Sequence, residues 1–145
     1  MIALIQRVTD ARVVVAGTVV GEIDAGILAL IGVERADAEH NAERLLERVL
    51  GYRIFPDADG RMNRSLRDVA GGLLLVPQFT LAADTRKGTR PGFSTAAAPN
   101  RAEALFATLV ERAAAIHAPV ACGRFGAEMF ITLTNHGPVT FRLEA

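Results

Sequence analysis

Cysteine is almost absent from this chain of 145 residues, with Cys122 standing alone. One thiol excludes an intrachain disulfide framework and a thiolate zinc cluster within one subunit, and it fits a reducing compartment. Histidine is nearly as scarce. His40, His117 and His136 are widely separated, and neither H-x-x-x-H nor H-E-x-x-H spacing occurs, so no metal site is expected. His40 and His117 fall on or at the end of helical segments, where surface or capping roles are the ordinary ones. A G-x-S-x-G elbow, a Walker loop and paired cysteines are also missing. The stretch "GRFGAEMF" has two glycines but not the G-x-G-x-x-G spacing of a dinucleotide site. No cofactor is expected.

An excess of charge is lacking as well: sixteen basic residues balance sixteen acidic ones. A general nucleic-acid binder carries a basic surface, so any RNA contact here must be a local patch. Two clusters are available, Arg61, Arg64 and Arg67 in "RMNRSLR" and Arg86, Lys87 and Arg90 in "TRKGTR". Each reads as a solvated loop or as a rim for phosphates. Long apolar runs are missing too. "MIALIQRV" meets Gln6 and Arg7 too early for a signal-peptide core, and nothing approaches the length of a membrane span. A cytoplasmic protein with no membrane partner is expected.

What the chain does contain is ordinary for a globular domain, with half its residues hydrophobic. "IALIQRV", "ARVVVAG" and "TVVGEI" are short and β-branched, the pattern of consecutive antiparallel strands. "GILALIGV" and "GGLLLVPQFTL" are continuous apolar runs that read as buried strands. Between them, Ala42, Leu45, Leu46, Val49 and Leu50 share one face of a helix over 36 to 52. Ala102, Leu105, Phe106, Leu109, Val110, Ala113 and Ile116 mark a second helix that opens near Pro99 and ends near His117. Residues 82 to 97 form a polar loop, of a length that is usually functional. "PVACGRFG", "EMFITLTN" and "VTFRLEA" read as closing strands. With no repeat or linker, residues 1 to 145 make a single α+β domain, an antiparallel or mixed, β-barrel-like sheet with two main helices packed on it.

Gly137-Pro138 interrupts the last strand, where proline removes a donor and glycine weakens a ladder. By itself the pair reads as a tight turn. Together, "MIALIQRV", "GYRIF", "PQFTL", "LAADTRKGTRPGFS", "GRFGAEM" and "NHGPVT", in this order over the whole chain, resemble the D-aminoacyl-tRNA deacylases. The resemblance implies an ester hydrolase that frees tRNA from D-amino acids, spares L-aminoacyl-tRNA and also acts on glycyl-tRNA. It implies a homodimer in which Gly137 and Pro138, joined by a cis bond, enter the partner's active site as a stereochemical gate. Gln78, Phe79 and Thr80 would line the ester pocket, Phe125 and Met129 would lie nearby, and Arg7 would hold the partner's Gly-Pro segment. Thr80 has no evident base, so water attack aided by the tRNA 2′-hydroxyl is the expected chemistry. One departure stands out: the family's serine before Gln-Phe-Thr-Leu is Pro77 here, which removes a hydroxyl and a backbone donor. Altered rate or substrate range is expected before loss of function, and a non-catalytic RNA- or nucleotide-binding module is the alternative. A general esterase is a third, weaker reading.

Overall fold

Two strands are apolar on both faces because each face meets a different core. In the computed structural model, which describes residues 1–145, β3 (Gly26–Gly32) and β6 (Gly72–Pro77) pair in parallel at the centre of a six-stranded mixed sheet. Ile27, Ala29 and Ile31 of β3 and Leu73 and Leu75 of β6 point towards the helices. Leu28, Leu74 and Val76 point the other way, into the sheet's own interior with Val8, Val13 and Ile23. Strands buried on both sides lose alternation, which is why these two read as continuous runs.

β1 (Ile2–Val15) is the organiser of the sheet. It pairs antiparallel with β2 (Thr18–Ile23) and β3 along one edge and with β8 (Phe130–Glu144) along the other. β7 (Val120–Cys122) lies parallel to β6, and the sheet curls until β2 approaches β7. A Cβ on Gly21 would stand 2.6 Å from the Cys122 carbonyl oxygen, so the two strands meet at backbone contact and the barrel nearly closes. The outer edge of β8 has no pairing partner in the chain.

α1 (Glu39–Gly51) and α3 (Pro99–Ile116) cover the helix-side core with the faces that periodicity assigns them. Burying Leu45, Leu50 or Leu109 contributes roughly 1.5–3 kcal/mol each. A hairpin of β4 (Phe55–Pro56) and β5 (Met62–Arg64) precedes α2 (Leu66–Val69), a single turn capped by Ser65. The structure therefore bears out the α+β, barrel-like sheet with two main helices, and it adds a third, one-turn helix. No helix is long and apolar enough to cross a membrane.

Three strand boundaries differ from the sequence reading. "IALIQRV" and "ARVVVAG" are one strand, because Thr9 and Asp10 are absorbed as a bulge: Val8 opposes Asn135 and Ala11 opposes Leu133, leaving two residues against one. "EMFITLTN" and "VTFRLEA" are likewise a single β8. Finally, β6 stops at Pro77, and Phe79–Ala82 form a 3-10 turn.

Candidate functional site

At the end of β6 the chain leaves the sheet at Gln78, whose N–H donates to the Ile31 carbonyl at 2.7 Å. Phe79 and Thr80 open the 3-10 turn, so their N–H groups have no acceptor inside it. The Gln78 Nε2 donates to Thr80 Oγ1 at 2.6 Å. An amide is no base, and the Thr80 hydroxyl carries no hydrogen bond to His, Asp or Glu.

A cleft of about 480 Å³ opens beside this turn. Pro77, Gln78 and Phe79 form one wall, the start of α3 a second, and Phe125, Met129 and Ile131 a third. Phe125 rests against Phe106 of α3 with ring centroids 6.5 Å apart, which ties the third wall to the core. The lining is mostly apolar, with backbone groups and the Gln78 amide as its polar points. Phe79 is 59% exposed and packs on Phe93, itself 42% exposed, at 5.1 Å. The exposed pair stands at the mouth of the cleft, where it is accessible to a ligand.

Gly137 and Pro138 lie elsewhere. Gln6 opposes Thr140 while Val8 opposes Asn135, so Arg7 alone faces His136, Gly137, Pro138 and Val139. These four residues leave the ladder as a bulge, with a cis bond between Gly137 and Pro138. Arg7 Nε donates to the His136 carbonyl at 3.0 Å and Arg7 Nη1 to the Ile54 carbonyl at 2.6 Å. Asn135 closes the neck, its Oδ1 accepting from Val139 N–H and its Nδ2 donating to Thr140 Oγ1, both at 2.9 Å. Gly137 has φ +141°, and a Cβ there would stand 2.6 Å from Val139 Cγ2, 3.0 Å from Val139 N and 3.2 Å from Arg7 Nη2. Glycine is obligatory at that position.

The site residues read from the sequence thus fall into three groups. Gln78, Phe79, Phe125 and Met129 line the cleft, with Thr80 bonded to Gln78 at its rim. Arg7, Gly137 and Pro138 form the bulge. None of residues 136 to 139 lines the cleft; from Ile131 to Gly137 the strand runs about 20 Å at ~3.3 Å per residue. Arg7 holds the Gly-Pro segment of its own chain, through the His136 carbonyl. Sequence reasoning missed Asn135 and the Ile54 carbonyl. An asparagine two residues before a Gly-Pro pair was the available signal for the first, because short amides close backbone turns.

The third group, Arg86, Lys87 and Arg90, lines a separate polar hollow of about 470 Å³ in the loop after the 3-10 turn. Arg86 is bonded through Nε and Nη2 to both oxygens of Asp84, at 2.9 and 2.7 Å. That pair holds the Asp84 carboxyl far below the ordinary carboxylate value and raises Arg86. Arg61, Arg64 and Arg67 sit apart on the β4–β5 hairpin and α2.

The family model for D-Tyr-tRNA(Tyr) deacylase matches residues 4–144. A protein named D-aminoacyl-tRNA deacylase from Alkalilimnicola ehrlichii is 64% identical over 145 residues, spanning 100% of this chain and 97% of its own. One of the same name from Stutzerimonas stutzeri is 61% identical and spans 100% of both chains. Among solved structures, the c-Myc DNA Unwinding Element Binding Protein superposes with a TM-score of 0.95 at 34% identity, over 100% of this chain and 99% of that one. A probable eukaryotic D-amino acid tRNA deacylase shares the fold, with a TM-score of 0.80 at 17% identity over 99% and 98%.

Proposed function

The chain belongs to the D-Tyr-tRNA(Tyr) deacylase family, enzymes that hydrolyse the ester of aminoacyl-tRNA, and on that premise we propose how its two separated groups of residues act. The substrate is D-aminoacyl-tRNA, and the terminal aminoacyl-adenosine occupies the cleft between Phe79, Phe125 and Met129. Water attacks the ester carbonyl, the developing oxyanion accepts hydrogen bonds from main-chain N–H groups of the 78–80 turn, and the ribose oxygen leaves with a proton. The vicinal 2′-hydroxyl of the tRNA relays that proton. The Thr80 hydroxyl, bonded only to an amide, is not the nucleophile.

The observation that carries this reading is that the bulge of residues 136 to 139 takes no part in the lining of the cleft. Gly137 and Pro138 are exposed and rigidly tied by Arg7 and Asn135. They serve the cleft of a second copy in a homodimer, and the unpaired edge of β8 is compatible with such an arrangement. Backbone standing where an L side chain would project rejects it by steric clash whatever its chemistry. Glycine has no side chain to reject, so glycyl-tRNA is cleaved as well. The site of action is the cytoplasm.

The test is ester loss from matched D-tyrosyl-tRNA, L-tyrosyl-tRNA and glycyl-tRNA with the purified protein. Cleavage of the D and glycyl esters with the L ester spared is expected. Equal cleavage of D and L removes the gate. No cleavage above the spontaneous rate, with tRNA still retained, favours a non-catalytic binding module, in which Pro77 replaces a required serine. Loss of cleavage on a terminal 2′-deoxyadenosine ester is expected from the 2′-hydroxyl route.

A further inference from the structure

The polar hollow beyond the cleft is built around one neutralised arginine and two free cations. Asp84 and Gly92 exchange both backbone hydrogen bonds, at 2.7 and 3.0 Å, and so pinch the intervening loop at its base. Within it, Asp84 also accepts from Arg86 N–H at 3.1 Å, so the Arg86 guanidinium is folded back onto the carboxylate that starts the loop. Lys87 and Arg90 line the same hollow, and neither takes part in any ion pair of the chain. Exposed cations without a carboxylate keep their charge available for an anion from solution.

Position gives this charge a meaning. Phe93 lies between Gly92 and Ser94 of the hollow and packs on Phe79 of the cleft, so a single aromatic pair separates the two spaces. The loop is also fixed to the body of the protein: Thr95 Oγ1 donates to the Ala82 carbonyl at 2.5 Å, Arg35 N–H to the Thr95 carbonyl at 2.9 Å and Ala97 N–H to the Val33 carbonyl at 3.0 Å. A chain of nucleotides leaving the cleft past Phe79 and Phe93 would enter the hollow with its phosphates. The other arginine cluster offers less, because Arg61, Arg64 and Arg67 share their segment with Asp57, Asp59 and Asp68, and none of them lines the cleft.

We propose that this hollow binds the phosphodiester backbone of the single-stranded 3′ end of tRNA, with Lys87 and Arg90 as the phosphate contacts and Arg86 as a positioning residue locked by Asp84. The assignment rests on the deacylase reading for the occupant of the cleft, and it withdraws Arg86 from the direct contacts. A bidentate guanidinium–carboxylate pair fixes loop shape better than it binds a third partner. Lysine cannot reproduce the fork.

The experiment compares full-length D-tyrosyl-tRNA with the D-tyrosyl ester of adenosine, which fills the cleft but has no phosphate. In Lys87→Ala/Arg90→Ala, the preference for tRNA over the small ester, as a ratio of kcat/KM, falls about tenfold. The slope of log binding against log salt flattens by about 1.4, two contacts at ~0.7 each for single strands. Arg86→Lys behaves like Arg86→Ala, and Asp84→Asn/Arg86→Ala is no worse than either single change, as a locked pair requires. An unchanged ratio and slope overturn the phosphate contacts, as do equal losses on both substrates. An Arg86→Lys variant with wild-type behaviour overturns the positioning role. Fluorescence anisotropy with a short RNA ending in CCA reads the same salt slopes without chemistry, so failure of the deacylase reading, seen as no cleavage of either ester by the unaltered protein, is told apart from failure of this one.

Discussion

The cleft at the end of β6 and the bulge in β8 are held by opposite means. Carbon makes the cleft: walls from three elements meet over Phe106 and Phe125, and its shape follows from core packing. Polar bonds make the bulge. His136, Gly137 and Pro138 are exposed, and their course is fixed by Arg7 and Asn135. Apolar walls adapt to a changed side chain of similar size, whereas a backbone course fixed by a few specific hydrogen bonds has no nearby alternative. The bulge should therefore break sharply and the cleft gradually.

Gly137→Ala strikes hardest. Its Cβ has no room beside Val139 and Arg7, so kcat/KM on D-tyrosyl-tRNA drops about 100-fold, near 2.7 kcal/mol, and the backbone strain lowers Tm as well. Wild-type activity with intact selectivity would refute the gate. Arg7→Ala comes next. Two charge-assisted hydrogen bonds vanish, each contributing about 1.5–3 kcal/mol, and the bulge and the Ile54 segment loosen together. Activity falls about tenfold or more and cleavage of L-tyrosyl-tRNA rises relative to D; an unchanged D-to-L ratio would place Arg7 outside the gate.

Cleft changes are milder. Phe79→Ala removes a largely exposed ring, so kcat/KM falls several-fold, on the order of 1 kcal/mol, while Tm stays within about 2 °C. A large Tm loss would show that the ring supports the fold and not the substrate. Pro77→Ser alters a half-buried wall residue and restores the missing hydroxyl; the rate shifts by less than about threefold, ~0.5 kcal/mol. A much larger gain would give that hydroxyl a part in the chemistry.

Acid produces the smallest effect. Hydrogen bonds from Arg86 depress the Asp84 carboxyl, and hydrogen bonds from Asn63 and Arg61 depress Asp57. A depressed carboxyl contributes its stability above the unfolded value, ordinarily 3.8, and loses it only as pH falls through the lower folded value. Both loops therefore keep their shape from pH 7 down to that ordinary value. Carboxyl chemical shifts followed by NMR check this, and titration of Asp84 at the ordinary value would dissolve the clamp.

The helices were legible because their faces repeat locally, as Ala42, Leu45, Leu46 and Val49 do in α1. β3 and β6 were legible as apolar runs. Strand boundaries in β1 and β8 were not: Thr9-Asp10 and Gly137-Pro138 look like turns, and both are bulges held inside a ladder formed with residues over a hundred positions away. The cleft residues came through the quoted motifs, and no periodicity could have gathered Gln78, Phe125 and Met129 around one space. Arg86 looked equal to Lys87 in the sequence, and only its bond to Asp84 separates them.

Sequence by itself determined which segments are buried and where the helices lie, since each depends on neighbours within a few residues. The tertiary structure alone decided that Gln78, Phe125 and Met129 meet around one cleft and that the Gly-Pro bulge has no part in its lining. It also decided that Arg7 ties that bulge to Ile54. Register between β1 and β8 puts Arg7 opposite the bulge, and register is a property of two distant strands packed on one core.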